Sequence, residues 1–350
     1  MIDLSQVTKA WYHPYRLMFK NPVLTSRGSM DYKNGFYLYL SNDINTGVGE
    51  CSFIEGLSIE STQTADNELK SFCEAIHQKK VHTNSFKFCS SVQFALECAA
   101  LDLAGGARKM LFETEFTAGN RSIPINGLVW MGDEQFMTHQ MEDKTAQGFR
   151  CLKMKVGALP FETELAILKN FRKHYPAENY ELRLDANGAF NAEDIFEKLE
   201  ILSQYNIHSI EQPVAAGQYN LMKEVCRSSP IPVALDEELI HLAHLHQLET
   251  IAELKSQYII IKPSLMGGFA MADKIITIAE QHHIGWWATS ALESNIGLNA
   301  IAQWVATKHN DMTQGLGTGG LYVNNVTSPL YIEHGHLHYN PFTAWGDIPQ

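Results

Sequence analysis

The order of apolar and polar positions changes character near residue 121 of the chain. From there to residue 321, short apolar runs end in polar residues or glycine, and a stretch with helical periodicity follows each run. Near-continuous apolar runs are typical of parallel strands that are covered on both faces. The predicted strands are Ile125–Val129, Cys151–Val156, Glu181–Asp185, His208–Gln212, Val233–Glu237, Tyr258–Lys262, Gly285–Thr289 and a weak one near Gln314–Gly317.

Amphipathic helices are predicted between these strands. They include Glu162–His174, Ala192–Tyr205, Leu242–Leu254, Phe269–His283 and Asn295–Lys308. Eight strands that alternate with helices over about 200 residues indicate an α/β fold, and a (β/α)8 barrel requires this order. A doubly wound open sheet is the alternative, but the even spacing of the eight units favours closure into a barrel.

Residues 1–120 have a different pattern. Phe36–Leu40 alternates as a strand that can pair with the segment around Val48–Ser52, and two helical stretches follow, Glu68–Gln78 and Val92–Leu103. Hairpins followed by helices predict an α+β domain. The segment after Leu321 has short strand-like runs punctuated by proline, and we expect it to pack back onto the first domain or onto the barrel.

Composition narrows the range of partners. The 350 residues carry 27 basic and 39 acidic side chains, a formal net charge of −12. Nucleic acid and anionic membrane surfaces both favour a basic protein, so this balance argues against either as the main partner. The chain has no apolar run of about 18 residues or more, so no membrane span is predicted. Six cysteines without a CxxC pair, and no leader-like first segment, predict reduced thiols and a cytoplasmic protein.

Charged residues stand at or near the carboxyl ends of several predicted strands, on the face where barrel enzymes carry their chemistry. They are Lys153, Lys155, Arg183, Asp185, Glu211, Asp236 and Lys262. Side chains two positions apart on a strand point to the same side, so Lys153 and Lys155 share a side, as do Arg183 and Asp185. An unpaired charge there is costly, so these groups must compensate one another or bind an ion. For Arg183, an ion pair that fills the barrel interior is the alternative to a role in the site.

Three of these residues, Asp185, Glu211 and Asp236, form an all-oxygen set on consecutive strands. Hard divalent cations such as Mg²⁺ prefer such ligands and keep positions open for a substrate. Lysines on the second and sixth strands would face each other across the metal, and a lysine near a dication and another cation has its ammonium form disfavoured. This arrangement suits removal of a proton next to a carboxylate, with the metal and a cation stabilising the resulting enediolate.

The motifs on these strands resemble those of the enolase superfamily, in particular its muconate-lactonizing-enzyme subgroup. They are Lys153-Met-Lys155, Asp185-Ala-Asn187, Glu211-Gln-Pro213, Asp236-Glu237 and Lys262-Pro263. The resemblance implies a modified TIM (β/α)8-type barrel over 121–321 and an α+β capping domain over 1–120, completed by 322–350.

The resemblance also implies roles for the charged residues. Mg²⁺, with Mn²⁺ as a substitute, would be held by Asp185, Glu211 and Asp236. Lys155 would be the base, Lys262 would stabilise the enediolate from the opposite side, and Lys153 would support them.

Two stretches are similar to the o-succinylbenzoate synthase family within that subgroup, namely 49–58 and Gly315–Gly319. The resemblance implies a carbon–oxygen lyase of menaquinone biosynthesis. Its reaction would be the Mg²⁺-dependent syn-dehydration of 2-succinyl-6-hydroxy-2,4-cyclohexadiene-1-carboxylate to o-succinylbenzoate. We expect this small anionic carboxylate to contact Arg183, Ser290, Gly315, Leu316, Thr25 and Phe53.

Three alternatives are consistent with the same charged residues. Racemisation of N-acylamino acids would use both lysines to exchange protons. Epimerisation of dipeptides is disfavoured because those enzymes carry an Asp-x-Asp at the end of the eighth strand, where this chain has Gly315-Leu-Gly317-Thr. A non-catalytic barrel that binds an anion is disfavoured because it would have no need of Lys155 and Lys262.

Overall fold

The protein is described by a computed structural model that covers residues 4–25, 28–79 and 87–349, without the side chains of residues 24 and 25. The first part is an antiparallel sheet in the order β1-β2-β3, against which two helices pack. Its elements are β1 (Lys9–Thr25), β2 (Gly28–Ser41), β3 (Thr46–Ser52), α1 (Thr62–His77) and α2 (Ser90–Ala104). Apolar side chains such as Leu38, Leu69 and Phe72 fill the space between sheet and helices.

The second part alternates strands and helices around a parallel sheet. Its strands are β4 (Ile123–Pro124), β5 (Gly127–Val129), β6 (Cys151–Lys155), β7 (Glu181–Asp185), β8 (Ser209–Glu211), β9 (Val233–Leu235), β10 (Tyr258–Ile261) and β11 (Gly285–Ala288). Its helices are α3 (Glu134–Ala146), α4 (Phe161–His174), α5 (Ile195–Ser203), α6 (Tyr219–Ser228), α7 (Glu237–His244), α8 (Thr250–Leu254), α9 (Pro263–Met266), α10 (Phe269–Gln281) and α11 (Asn295–Ala306). A short 3₁₀ turn follows at Gly319–Leu321.

The seven strands β5 to β11 are neighbours in chain order, and the eighth strand closes the barrel with single bridges. Gln314 bridges to Ile125, and Gly315 bridges to Thr289. A Cβ atom at residue 315 would stand 2.5 Å from the Oγ1 of Thr289, so only glycine allows this approach. The structure confirms the predicted modified barrel with an α+β domain, although the eighth strand is shorter than predicted.

The single helix predicted over Leu242–Leu254 is two helices. After α7, the backbone of His246 adopts a left-handed φ of 55°, and α8 begins at Thr250. Residues with a side chain rarely continue a helix through this conformation, so the helix ends there. Hydrophobic spacing alone did not reveal the break.

The tail contacts both parts of the molecule. Strands β12 (Leu330–Glu333) and β13 (His336–Tyr339) form a hairpin, and β13 pairs with β4 beside the barrel. Tyr322 bridges to Phe19 of β1, and the hydroxyl of Tyr39 donates to the carbonyl of Pro349. None of the helices in the described ranges is long and apolar enough to cross a membrane.

Candidate active site

A cavity of about 810 Å³ lies between the sheet of the first part and the carboxyl ends of the barrel strands. The barrel contributes charged, amide and hydroxyl side chains to its wall, and the first part contributes residues of β2 and of the segment after β3. The residues that line the cavity include Lys33, Phe53, Lys144, Lys153, Lys155, Asp185, Asn187, Lys262, Ser290, Gly315 and Thr318. The cavity therefore joins the strand ends predicted to carry the chemistry to a wall from outside the barrel.

The register of the parallel strands brings the predicted charges together. Lys155 on β6 is paired with Asp185 on β7, which is paired with Glu211 on β8. The Nζ of Lys153 lies 2.6 and 2.7 Å from the two carboxylate oxygens of Glu211 and 2.9 Å from Oδ2 of Asp185. One lysine thus bridges two of the three carboxylates expected to bind a metal.

The other two lysines each hold a carboxylate. The Nζ of Lys155 donates to Oδ2 of Asp185 and to Oδ1 of Asn187, both at 2.6 Å. The Nζ of Lys262 donates to Oδ2 of Asp236. Every carboxylate of the predicted set is therefore compensated by at least one ammonium group.

The carboxylates differ in their protonation behaviour. Burial alone would raise the pKa of Asp185, but Lys153 and Lys155 hold it well below its usual range. Burial, together with the negative charges of Asp185 and Asp236, raises the pKa of Glu211 to about 8 despite its contacts with Lys153. The three acids therefore cannot all be ionised at neutral pH unless a further cation lies beside them.

Lys153 and Lys262 retain their protons in this arrangement. Burial alone would lower the pKa of Lys153 and of Lys262, but the surrounding carboxylates raise both above the usual value. The expectation of a disfavoured ammonium form concerned a lysine beside a dication and another cation. In this structure the negative charges of Asp185, Glu211 and Asp236 determine the direction of the pKa shift of Lys153 instead.

The donor set fits a hard dication by type and charge. Asp185, Glu211 and Asp236 offer only oxygen atoms, and Oδ1 of Asp236 is buried without a hydrogen-bond partner among the described residues. An unpartnered buried carboxylate oxygen is costly, and a cation would satisfy it. In the arrangement described, however, no three or more His, Cys, Asp or Glu side chains of residues 4–25, 28–79 and 87–349 form a group that could hold a metal ion.

Sequence comparison places this site in a known family. The family described as "Enolase C-terminal domain-like" matches residues 137–341, and "MenC, N-terminal domain" matches residues 7–103. The chain belongs to the enolase superfamily. An o-succinylbenzoate synthase from Desulfotalea psychrophila is 40% identical, and the match covers 93% of this chain and 97% of that protein.

One solved structure and one further sequence relative extend this comparison. The crystal structure of MenC from Desulfotalea psychrophila has a TM-score of 0.85 and 37% identity, and the match covers 95% of this chain and 99% of that one. An L-Ala-D/L-amino acid epimerase from Maribacter sp. is 26% identical, and its match covers 83% of this chain and 84% of that protein. An o-succinylbenzoate synthase and an epimerase thus both occur among the relatives of this chain, at different identity.

Within this enolase-superfamily barrel, the residues expected to contact the substrate have different locations. Ser290, Gly315 and Phe53 line the cavity. Leu316 is fully buried in the core and is not part of the cavity wall. Thr25 ends β1, but its side chain lies outside the described residues.

Arg183 lies deeper in the barrel than the cavity. Its side chain is 1% exposed, its Nε lies 2.6 Å from Oε1 of Glu181, and its Nη1 donates to the carbonyl of Thr313 at 2.9 Å. Its guanidinium stacks 4.0 Å from the ring centroid of Trp287. These contacts correspond to the ion pair that fills the barrel interior, and they hold Arg183 away from a substrate in the cavity.

The sequence motifs predict no role for three residues that line the cavity, Asn187, Thr318 and Lys33. Asn187 follows β7 with a left-handed φ of 46°, which asparagine tolerates, and so its amide turns back to Lys155. Thr318 donates to the hydroxyl of Ser290 at 2.7 Å. Lys33 belongs to β2, and only the three-dimensional contact between the first part and the barrel brings it to the cavity.

Proposed function

We propose that this chain catalyses the dehydration of 2-succinyl-6-hydroxy-2,4-cyclohexadiene-1-carboxylate to o-succinylbenzoate. The observation that carries the proposal is the 40% identity to an o-succinylbenzoate synthase over nearly the full length of both chains. The geometry supports it, because the cavity presents lysines and buried carboxylates suited to proton removal beside a carboxylate. The substrate is a small dicarboxylate, and the reaction makes the chain a carbon–oxygen lyase of menaquinone biosynthesis.

A divalent metal ion is part of this proposal, with Mg²⁺ as the cofactor and Mn²⁺ as a substitute. Asp185, Glu211 and Asp236 would hold it, supported by their all-oxygen chemistry and by the unpartnered Oδ1 of Asp236. When bound, the dication supplies positive charge that stabilises the negative charge developing on the substrate carboxylate. Lys153 contacts two of these acids and would keep them in place during turnover.

Lys155 is the proposed base and later the acid. Its neutral Nζ takes the proton from the carbon next to the ring carboxylate, and the C–H electron pair becomes part of an enediolate. The C–O bond to the β-hydroxyl then breaks, and Lys155 returns the proton to that oxygen, so that water leaves and the ring becomes aromatic. Syn geometry follows because one residue serves both transfers from the same face. Asn187 fixes the position of the Lys155 Nζ by accepting a hydrogen bond at 2.6 Å.

Lys262 is the proposed electrostatic partner of the developing anion. Lys262 follows β10 and is buried beside Asp236. Its raised pKa keeps it cationic, so that it acts as a fixed positive charge. A cation over a ring also stabilises the electron-rich π-face of the enediolate.

The second candidate function is racemisation of N-acylamino acids or epimerisation of dipeptides in the same site. The 26% identity to an L-Ala-D/L-amino acid epimerase favours retaining this candidate. An epimerisation needs a second lysine to exchange protons, whereas the carboxylates around Lys262 raise its pKa and keep it cationic. The Asp-x-Asp of dipeptide epimerases is also replaced by Gly315-Leu-Gly317.

The deciding experiment compares two reactions of the purified wild-type protein. Dehydration of the cyclohexadiene substrate is followed by ultraviolet absorbance with and without Mg²⁺, and racemisation of N-succinylamino acids is followed by optical rotation. We expect rapid Mg²⁺-dependent dehydration. A protein that racemises acylamino acids but does not dehydrate the cyclohexadiene would refute the proposal, and one that binds the anion without either reaction would be a non-catalytic barrel.

The domain division and the cellular setting are part of the same proposal. A capping domain of 1–120 with 322–350 and a barrel of 121–321 are supported by separate cores, with Leu38 and Phe72 in one and Leu184 and Ile261 in the other. Tyr322 and Val326 of the tail pack with Tyr15 and Tyr37 of the cap. A cytoplasmic, reducing setting is supported by six free cysteines.

A further inference from the structure

Lys33 is a buried lysine on the wall of the cavity opposite the barrel strands. It belongs to β2, opposite Leu17 of β1, and its side chain is 3% exposed although Asp31 and Tyr32 before it are exposed. A buried ammonium group is costly unless an opposite charge or several acceptors compensate it. The partners of Lys33 therefore decide what this residue does.

Lys33 has a single direct partner among the described residues. Its Nζ donates to the hydroxyl of Ser52, which is neutral, and it forms no ion pair with a carboxylate in the part of the chain that the structure describes. Lys153, Lys155 and Lys262 on the other wall each contact a carboxylate directly. An ammonium group has three N–H donors, so Lys33 keeps two for a further acceptor.

Two carboxylates attract Lys33 from a longer distance, but their oxygens are used elsewhere. Glu50 accepts from the hydroxyls of Tyr15 and Ser294 and from backbone N–H groups of residues 294 and 297. Glu293 accepts from the hydroxyls of Ser264 and Ser290 and from the N–H of residue 291. Burial lowers the pKa of Lys33, and the attraction of Glu50 and Glu293 only partly opposes this.

We infer that Lys33 determines substrate specificity by receiving the second carboxylate of the substrate, the one at the end of the succinyl chain. The inference rests on the proposed function, whose substrate carries two carboxylates. One is the ring carboxylate beside the reacting carbon, which must lie near Lys155. The other is separated from the ring by the succinyl carbons and needs a cation on a different part of the wall.

The surroundings of Lys33 suit such an end group. Ser52, its partner, precedes Phe53, which lines the cavity and offers an apolar surface to the methylene groups. On the barrel side, Thr318 and Ser290 present linked hydroxyls at the same cavity. A carboxylate beside Lys33 would gain charge-assisted hydrogen bonds and would compensate the buried cation.

The test uses two ligands that differ only at the distal group. Binding of o-succinylbenzoate and of 2-butyrylbenzoate, in which a methyl group replaces the distal carboxylate, is measured by calorimetry on Mg²⁺-loaded protein. The proteins are the wild type, Lys33→Met and Lys144→Met. Lys144 is a matched control because it lines the same cavity with its Nζ over the ring of Phe149 and forms no ion pair among the described residues.

We expect the wild type to prefer the dicarboxylate by about 10- to 100-fold, as a charged hydrogen-bond pair would give. Lys33→Met should lose this preference while its affinity for 2-butyrylbenzoate changes little, and Lys144→Met should keep it. With the cyclohexadiene substrate, Lys33→Met should raise KM by a similar factor and leave kcat nearly unchanged, because the contact is the same in ground and transition states.

Other results overturn the inference. An unchanged preference in Lys33→Met, an equal loss in Lys144→Met, or an equal loss of both ligands in Lys33→Met would each assign Lys33 a structural role. Should Lys33→Met fail to fold, Lys33→Gln retains a donor for Ser52 and carries the same expectations. A wild type that does not dehydrate the cyclohexadiene overturns the proposed function as well, whereas an active wild type with an unchanged preference in the variant overturns this inference alone.

Discussion

Buried carboxylates occur in two regions of this molecule, and the two regions compensate them differently. At the barrel mouth, Asp185, Glu211 and Asp236 face lysine ammonium groups. At the junction of the capping part and the barrel, the acids accept hydrogen bonds from hydroxyls and backbone N–H groups, many of them at the starts of helices. These acids are Glu50, Glu97 and Glu293.

The difference shows how one fold separates fixed from exchangeable charge. Backbone N–H groups at a helix start cannot move without unwinding the helix, so Glu50 ties the cap to α11 and Glu97 ties α2 to α10. A lysine has a flexible stem and can change its partner without disturbing the backbone. The junction therefore sets the geometry, and the mouth supplies groups that can transfer protons or meet ligands.

The largest effect is expected at the mouth. Lys155→Ala should lower kcat/KM for dehydration by about 100- to 10,000-fold, because it removes the base while its partners Asp185 and Asn187 stay in place. Steady-state kinetics by ultraviolet absorbance measure this loss, and circular dichroism shows whether the fold is retained. Lys169→Ala, on the exposed face of α4, is the control and should stay near the wild type. Wild-type activity in Lys155→Ala would refute the base assignment.

Removal of the metal should come next in size. Chelation, or Asp236→Asn, should lower dehydration by about 100-fold or more, because the charge that stabilises the developing anion is lost. Added Mg²⁺ should restore the chelated wild type, and Mn²⁺ should do so as well. Asp311→Asn changes a fully exposed acid and should leave metal dependence intact. Full activity of the wild type in excess chelator would contradict the metal site.

The junction should respond in stability rather than in chemistry. Glu50→Gln should lower the free energy of unfolding by about 2 kcal/mol, because an amide nitrogen cannot accept the hydrogen bonds that one carboxylate oxygen accepts from Ser294 and Gly297. Urea denaturation followed by fluorescence measures the change. Glu74→Gln, on the exposed face of α1, should shift stability by less than about 0.5 kcal/mol. Equal effects of both substitutions would mean that Glu50 does not tie the cap to the barrel.

The smallest effect is in the pH dependence of stability, which should have opposite signs for Glu97 at the junction and for Asp185 at the mouth. Burial raises the pKa of Glu97, so its contribution to stability is largest below the usual value and is lost as the pH rises through the raised value. For Asp185, burial opposes the shift, but Lys153 and Lys155 lower the pKa, so its contribution is present above the usual value and is lost as the pH falls.

Urea titrations between about pH 3 and pH 8, where carboxyl groups titrate, measure how the free energy of unfolding changes with pH for each variant. The stability difference between wild type and Glu97→Gln should become less favourable to the wild type as the pH rises. The difference between wild type and Asp185→Asn should become more favourable to it. Slopes of the same sign would show that Glu97 and Asp185 are not compensated in the two different ways described.

Much of the barrel was predictable because its strands are buried on both faces. The predicted strands Cys151–Val156 and Glu181–Asp185 agree with β6 and β7 to within one residue, since their apolar residues alternate with the charges of the mouth. The family and the fold are confirmed by the comparisons and by the sheet. The roles of the metal and lysine residues stay predictions.

The long first hairpin was not predictable from pattern. Pro14 and Pro22 lie within β1 and read as interruptions in the sequence, yet β1 is the edge strand of its sheet, where a missing N–H is tolerated. A register shift between Met18 and Val23 further removes the alternation. For a related reason, Arg183 was predicted to contact the substrate although it lies below the cavity, and Lys33 was not predicted at all. The depth of Arg183 in the barrel and the approach of Lys33 across the cavity depend on contacts between distant segments.

The contact between the tail and the first hairpin has a consequence for how the protein is made. Tyr39 and Pro349 are 310 positions apart, and Met18 and Asn324 are 306 positions apart. A ribosome produces β1 and β2 long before these partners, so the aromatic face of Tyr15 and Tyr37 stays uncovered while the barrel is synthesised. We therefore expect the cap to reach its final packing only after the tail has been synthesised.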